Sequence, residues 1–193
     1  MKTLMSVLPS RPSRSGHKGH LTFRCADATD VNAIVALVNS AYRGESSRAG
    51  WTTEADILGG QRTDAEEILR LIAEDDSAIL LCLLGDEIIG SVHVERVDAA
   101  TAYMGMLVIR PALQGQGLGR CLMNEAERFV RAEWGAACMQ MQVITLRHEL
   151  IAYYERRGYQ RTGENRAFPA TDPRFGLPRV EGLMFEVLEK PLG

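Results

Sequence analysis

The stretch Met106-Leu107-Val108-Ile109-Arg110-Pro111-Ala112-Leu113-Gln114-Gly115-Gln116-Gly117-Leu118-Gly119 decides how this chain folds. Residues 102–109 form an apolar run that reads as a buried strand, and Pro111 breaks it. From Gly117 to Trp134 apolar residues return at helical spacing, with Leu118, Cys121, Leu122, Ala126 and Phe129 on one stripe. The turn between them, from Gln114 to Gly119, is rich in glycine and feeds a helix N-terminus. Glycines let backbone N–H groups converge on a concavity, and the helix start adds about half a positive charge, so the turn suits a phosphate. It is no Walker loop, which requires GxxxxGK[ST], and Arg120 stands where the dinucleotide fingerprint GxGxxG needs its third glycine. Nucleotide hydrolysis is therefore disfavoured. A close helix-to-strand crossing is the alternative reason for glycine at these positions.

Upstream, residues 21–25 read as a short strand, and Asp27 or Thr29 can cap a helix presenting Val31, Ile34, Val35 and Val38. Residues 43–63 are rich in Gly, Ser and Thr around a single Trp51, and Asp64 caps a second helix bearing Ile68, Leu69 and Ile72. Two strands, 78–84 and 87–97, meet at the Gly85-Asp86 turn. Downstream come a strand at 138–144, a helix at 147–157 stopped by Gly158, and a strand at 183–188. This order predicts an α/β sandwich whose sheet combines antiparallel hairpins with one parallel crossover.

The 193 residues are close to the prior for one domain, and 46% hydrophobic with 24% charged residues is an ordinary globular composition. A net charge of −3 argues against nucleic acid as the main partner. The longest apolar run, 78–84, is far short of the roughly 20 residues that span a bilayer, so no membrane partner is expected. Cys25, Cys82, Cys121 and Cys138 show neither metal-ligand nor disulfide spacing, so no metal is expected, and they read as reduced thiols of a cytoplasmic protein. Residues 1–20, with four basic and no acidic residues, read as a flexible arm.

Within the opening stretch, Gln114, Gly117 and Gly119 occupy the three fixed positions of Gln/Arg-x-x-Gly-x-Gly/Ala, and downstream lies Tyr153-Tyr154-Glu155-Arg156-Arg157-Gly158-Tyr159. The first resembles motif A of the GNAT superfamily of acyl-CoA-dependent N-acyltransferases, and the second resembles the YExxGF/Y signature ending that family's motif B helix. The resemblance spans roughly residues 21–188. It implies a GNAT-type α/β fold, with a mixed, mostly antiparallel central sheet flanked by helices and a parallel strand–helix–strand crossover at the acetyl-CoA cleft, over a domain at 21–193.

The resemblance also implies residue roles. The pyrophosphate of acetyl-CoA would sit on the loop Gln114, Gly115, Gln116, Gly117, Leu118, Gly119 and Arg120. The pantetheine arm would run beside the strand at Leu107, Val108 and Ile109, whose amides would also stabilise the thioester oxygen as it becomes negative. Tyr154 would protonate the departing thiolate; a phenol with a reference pKa near 10 still holds its proton at neutral pH. A base is needed to neutralise the amine, and His93 and Glu95 share one strand face as candidates, alongside their ordinary readings as a satisfied strand histidine and a solvated edge carboxylate. Many family members carry Asn early in the motif B helix; here the neighbourhood is Leu146-Arg147-His148-Glu149, and Arg147 is read either as a CoA contact or as a solvated helix-start charge. Trp51, Glu54 and Gln142 are the candidate acceptor-binding residues, with Trp51 read either as a pocket wall or as a core aromatic.

The expectation is an acetyl-CoA-dependent N-acetyltransferase acting directly on the primary amine of a small molecule, with no covalent enzyme intermediate. Two alternatives stay open: a protein or peptide N-acetyltransferase, and an acyl-CoA sensor without turnover. A homodimer also stays open. Acidic residues 45, 54 and 56 near Trp51 favour a cationic acceptor, whereas the run Arg156, Arg157, Arg161 and Arg166 favours an acidic one or is simply solvated.

Overall fold

The computed structural model describes residues 20–43, 47–48, 50–169 and 176–193. The expected N-terminal arm, apart from His20, lies outside the described residues. The chain begins with β1 (Leu21–Cys25) and a single 3-10 turn (Ala28–Asp30). Asp27 and Asp30 cap that turn reciprocally, and Arg24 binds the Asp30 carboxylate at 2.6 Å, so the chain enters α1 (Val31–Tyr42) at a fixed angle. There follow a short β2 (Leu58–Gly59) and α2 (Ala65–Ala73), whose N-cap Asp64 accepts the Glu67 N–H at 2.8 Å.

β3 (Ser77–Leu84), β4 (Glu87–Arg96) and β5 (Thr101–Ile109) form an antiparallel meander. α3 (Leu118–Trp134) then crosses over to β6 (Cys138–Ile144), which lies parallel to β5, and α4 (His148–Glu155) follows. β7 (Gln160–Ala167), β8 (Leu177–Pro178) and β9 (Met184–Pro191) complete the chain. The main sheet has the order β1-β3-β4-β5-β6-β9-β7, and β2 pairs with β8 apart from it. The expected mostly antiparallel sheet with one parallel crossover is the observed one. β2, β7 and β8 are not among the expected strands. Every residue of β7 is exposed at the sheet's outer edge, so the strand carries no apolar alternation to read.

Each face of the sheet has its own core. Val31, Ile34 and Val38 of α1 and Ile68 and Leu71 of α2 pack on Ile79 and Leu81 of β3. Leu122, Ala126 and Val130 of α3, with Ile151 of α4, cover Val92, Val94 and Met139 on the other face. Two features of β5 turn this scaffold into a site. Met106 adopts φ 46° within a bulge that sets Met106 and Leu107 opposite Val92 of β4, which re-aims the side chains beyond it. β5 also pairs with β6 only from Thr101 to Tyr103, while β6 continues along β9 to Ile144. The two parallel strands therefore part, leaving the far half of β5 with an open backbone edge inside the molecule.

Candidate active site

The glycine-rich turn stands at one mouth of that opening. Gly115 and Gly117 have φ values of 78° and 82°, and a Cβ on either would meet nothing within 4 Å, so packing does not require glycine there. The left-handed backbone does, and it is the conformation that gathers N–H groups into a concavity. Gly117 is the N-cap of α3 and supplies no side-chain cap, which leaves the first N–H groups of the helix facing outward. Gly119 differs: a Cβ there would lie 3.1 Å from the Tyr153 hydroxyl and 3.8 Å from Ile109, so this glycine also serves a close approach. Gln114 braces the turn, its Nε2 donating to the Ile109 carbonyl at 3.0 Å and its Oε1 accepting the Trp51 N–H at 3.1 Å.

A cleft of about 510 Å³ opens from this turn along the strand edge, walled by Leu107, Val108 and Ile109, by Gln114, Gly115, Gly117, Gly119 and Arg120, and by Arg147, Tyr153, Tyr154, Arg156 and Arg157 of the last helix and its ends. Gln116 and Leu118 do not line it; Gln116 is exposed, and Leu118 packs against the α3 core. Trp51 lines this cleft too. Its backbone is tethered to Gln114, and its ring lies 5.3 Å from that of Tyr153, which in turn carries the Arg157 guanidinium 3.3 Å above it. Trp51 is 42% exposed, so the core reading does not describe it.

On the far side of Tyr154 lies a second cavity of about 400 Å³, walled by Tyr103 to Leu107 of β5, Met141 to Ile144 of β6, and Glu54, Arg62, Arg166 and Phe168. Tyr42, Leu107, Arg147, Leu150 and Tyr154 line both cavities, so the two meet there. Tyr154 is 8% exposed, and burial first, then neighbouring Tyr42, pushes its phenol well above the ordinary value. It holds its proton across the whole physiological range. Tyr42 is pushed up to about 12, mainly by burial and then by Glu54, and donates its hydroxyl to the Leu107 carbonyl at 3.0 Å.

The two candidate bases are not at either cavity. His93 is buried at 6% exposure beneath α2, with Nε2 3.0 Å from Ser77 Oγ. The Ser77 proton is committed to the Leu71 carbonyl at 2.7 Å, so His93 serves as the donor through Nε2–H. Burial, and then Arg62 and Arg70, lower its pKa to about 4, which keeps the imidazole neutral. Glu95 is exposed near the end of β4, in register with Tyr103. The alternation that put both on one strand face is real, and their register partners Gly105 and Tyr103 wall the second cavity, but neither His93 nor Glu95 lines it.

Gln142 does wall the second cavity, as does Glu54, although Glu54 is not available to a cation. Its carboxylate is shared between Arg43 and Arg147, the latter at 2.6 Å, and all three side chains are at most 9% exposed. Arg147 also donates to Thr52 Oγ1 at 2.8 Å, so it is neither a solvated charge nor simply a cleft-lining group. It ties the start of α4 to the loop carrying residues 52–54. Sequence reasoning missed Tyr42, Tyr103 and Arg62. Tyr103 is accommodated because Gly105 leaves room for its ring, which a Cβ there would meet at 2.8 Å. Arg62 is held by Asn39 of α1, whose Oδ1 accepts the Arg62 N–H at 2.7 Å and whose Nδ2 donates to the Thr63 carbonyl at 2.9 Å. None of the four cysteines lines either cavity.

The profile of the acetyltransferase (GNAT) family matches residues 33–159, more than half of the chain. A mycothiol acetyltransferase from Streptosporangium roseum is 32% identical over 112 residues, which is 58% of this chain but only 28% of that protein. Among solved structures, yncA from Salmonella typhimurium, determined with its cofactor acetyl-CoA, superposes with a TM-score of 0.65 at 19% identity, covering 90% of this chain and 94% of that one. The ribosomal-protein-S18-alanine N-acetyltransferase from Escherichia coli superposes with a TM-score of 0.65 at 16% identity, covering 90% and 95%. At these identities the two structures are similar in fold.

Proposed function

The chain belongs to the GNAT acetyltransferase family, and from that premise we propose that it transfers the acetyl group of acetyl-CoA directly to the primary amine of a small molecule. The observation that carries this reading is the junction: two cavities meet at the buried Tyr154, one leading to an N–H cradle and the other leading away from it. Gly115 and Gly117 keep the cradle free of side chains, so the N–H groups of residues 114–120 are suited to hold a pyrophosphate. The open edge of β5 at Leu107, Val108 and Ile109 is suited to a pantetheine arm, which pairs as an extra strand. Acetyl-CoA supplies an activated thioester carbonyl.

The amine attacks that carbonyl carbon to form the C–N bond, the C–S bond breaks, the sulfur takes the proton that Tyr154 holds at Oη, and the proton shed by the attacking nitrogen restores the phenol. Burial keeps that proton on the phenol until a thiolate appears beside it. Both Glu54 oxygens are committed to arginines, and no described carboxylate or imidazole at the second cavity is free to act as base. The ammonium therefore loses its proton to water before attack. The four cysteines line neither cavity, so a thiol relay has no support and transfer is direct.

The test is to follow free thiol on mixing the pure protein with acetyl-CoA and a panel of small amines, with product mass as the second readout. Thiol release that depends on the amine and yields an N-acetyl product is expected. Binding of CoA without turnover of any amine would make the protein a sensor instead.

A further inference from the structure

Resting on that reading, we infer that the acceptor amine also carries an anionic group, a carboxylate or a phosphonate, which Arg62 binds in the second cavity. Three arginines, Arg62, Arg147 and Arg166, and a single carboxylate, Glu54, are the charged groups walling this cavity among the described residues. Glu54 is already neutralised between Arg43 and Arg147. The cavity is therefore cationic, although the chain as a whole is acidic with a net charge of −3.

Arg62 carries the argument. It walls the cavity, and no ion pair joins it to a described carboxylate. A guanidinium at a cavity wall without a carboxylate partner is matched to an anionic ligand. Arg62 has an aromatic neighbour, Tyr42, whose ring centroid is 5.7 Å from its guanidinium carbon, but a ring face does not replace an oxygen acceptor. Asn39 accepts the backbone N–H groups of Arg62 and Thr63 and donates to the Thr63 carbonyl, so the side chain starts from a fixed point. It lines only the second cavity and not the cleft of the glycine turn, which separates its ligand from the cosubstrate.

Arg166 is the outer cation of the same cavity, exposed and paired with Glu164 at 2.7 Å. Glu95, the remaining carboxylate near Tyr103, is exposed and does not line the cavity. A polyamine or another purely cationic amine would face three guanidinium groups here with no free carboxylate to receive it. An amine with a carboxylate or phosphonate would give the Arg62 guanidinium a counter-charge while its amino group turns toward Tyr154.

The experiment compares matched pairs as acceptors at saturating acetyl-CoA: phenylalanine with phenethylamine, leucine with 3-methylbutylamine, and 2-aminoethylphosphonate with ethylamine. In at least one pair, kcat/KM for the acid-bearing member is expected to exceed that of its partner by 10-fold or more. The pair that responds tells carboxylate from phosphonate. Arg62→Gln should reduce kcat/KM for the preferred acid by about 10- to 100-fold, the usual consequence of losing a charged hydrogen bond, with little effect on the matched plain amine. Arg62→Lys keeps the charge and should fall between. CoA affinity, read by calorimetry, should be unchanged in both variants and confirms that they are folded. Preference for the plain amines, an undiminished acid preference in Arg62→Gln, or tight CoA binding with no acid-bearing member acetylated would each overturn the inference while leaving the cosubstrate cleft intact. Absence of CoA binding in the unaltered protein would instead overturn the acetyltransferase reading beneath it.

Discussion

At the scale of single residues, the account rests on a phenol that keeps its proton. Tyr154→Phe preserves the ring that packs against Tyr153 and Tyr159 and removes only the donor. Turnover is expected to fall by about 10²- to 10⁴-fold with CoA affinity little changed. Tyr153→Phe should behave differently, because Tyr153 faces the turn near Gly119 and stacks with Trp51, so its effect belongs to cosubstrate binding rather than to kcat. Tyr154 was legible because a motif marks it. Glu54 was legible only as a charge: the arginines that claim it include Arg147, 93 residues away, and no local pattern announces that pairing. Arg62 was invisible for the same reason, since its place is set by Asn39 of α1 across a separation of 23 residues.

At the scale of elements, the Arg43–Glu54–Arg147 network joins the end of α1, the loop after it and the start of α4 around the junction of the two cavities. Glu54→Gln removes the carboxylate charge that the two buried guanidinium groups share. Loss of one partner from such a buried network costs about 3–5 kcal/mol, so urea unfolding should show a loss of this size. An acceptor-binding carboxylate at the cavity wall would instead raise the acceptor KM and leave stability nearly unchanged. The elements themselves were largely readable, because α1, α2 and α3 bury one apolar stripe each and β3 to β5 are apolar runs bounded by turns. β7 was not, since an edge strand with every residue exposed has no buried face to write into its sequence. The side of the cleft on which Trp51 falls was also unreadable, because a glycine-rich loop can lean either way until Gln114 takes hold of it.

At the scale of the whole molecule, the buried His93 links stability to pH. Its pKa is lowered to about 4 in the folded protein against an ordinary value of 6.5, so protonation favours the unfolded chain. The contribution is complete above pH 6.5 and is lost as pH falls toward 4. Between pH 7.5 and 4.5 this group alone should cost roughly 2–3 kcal/mol of unfolding free energy. His93→Gln, which can still donate toward Ser77, should flatten that part of the profile; an unaltered slope would show that His93 is not the titrating group. The same histidine, in its core position, shows why the base could not be assigned from sequence. A strand face is readable, but which stretch of that face meets the opening between β5 and β6 is a property of the assembled sheet.

The central claim, that the turn at residues 114–120 cradles the pyrophosphate of acetyl-CoA, is tested most directly by calorimetric titration of CoA into the unaltered protein, Gly117→Asp and Gly119→Asp. The unaltered protein should bind CoA at one site. Gly117→Asp should abolish that binding, because it sets a side chain and a negative charge at the left-handed N-cap of α3, and Gly119→Asp should do so by closing the approach beside Tyr153. Circular dichroism would confirm that both variants remain folded. Undiminished CoA affinity in both folded variants would contradict the account.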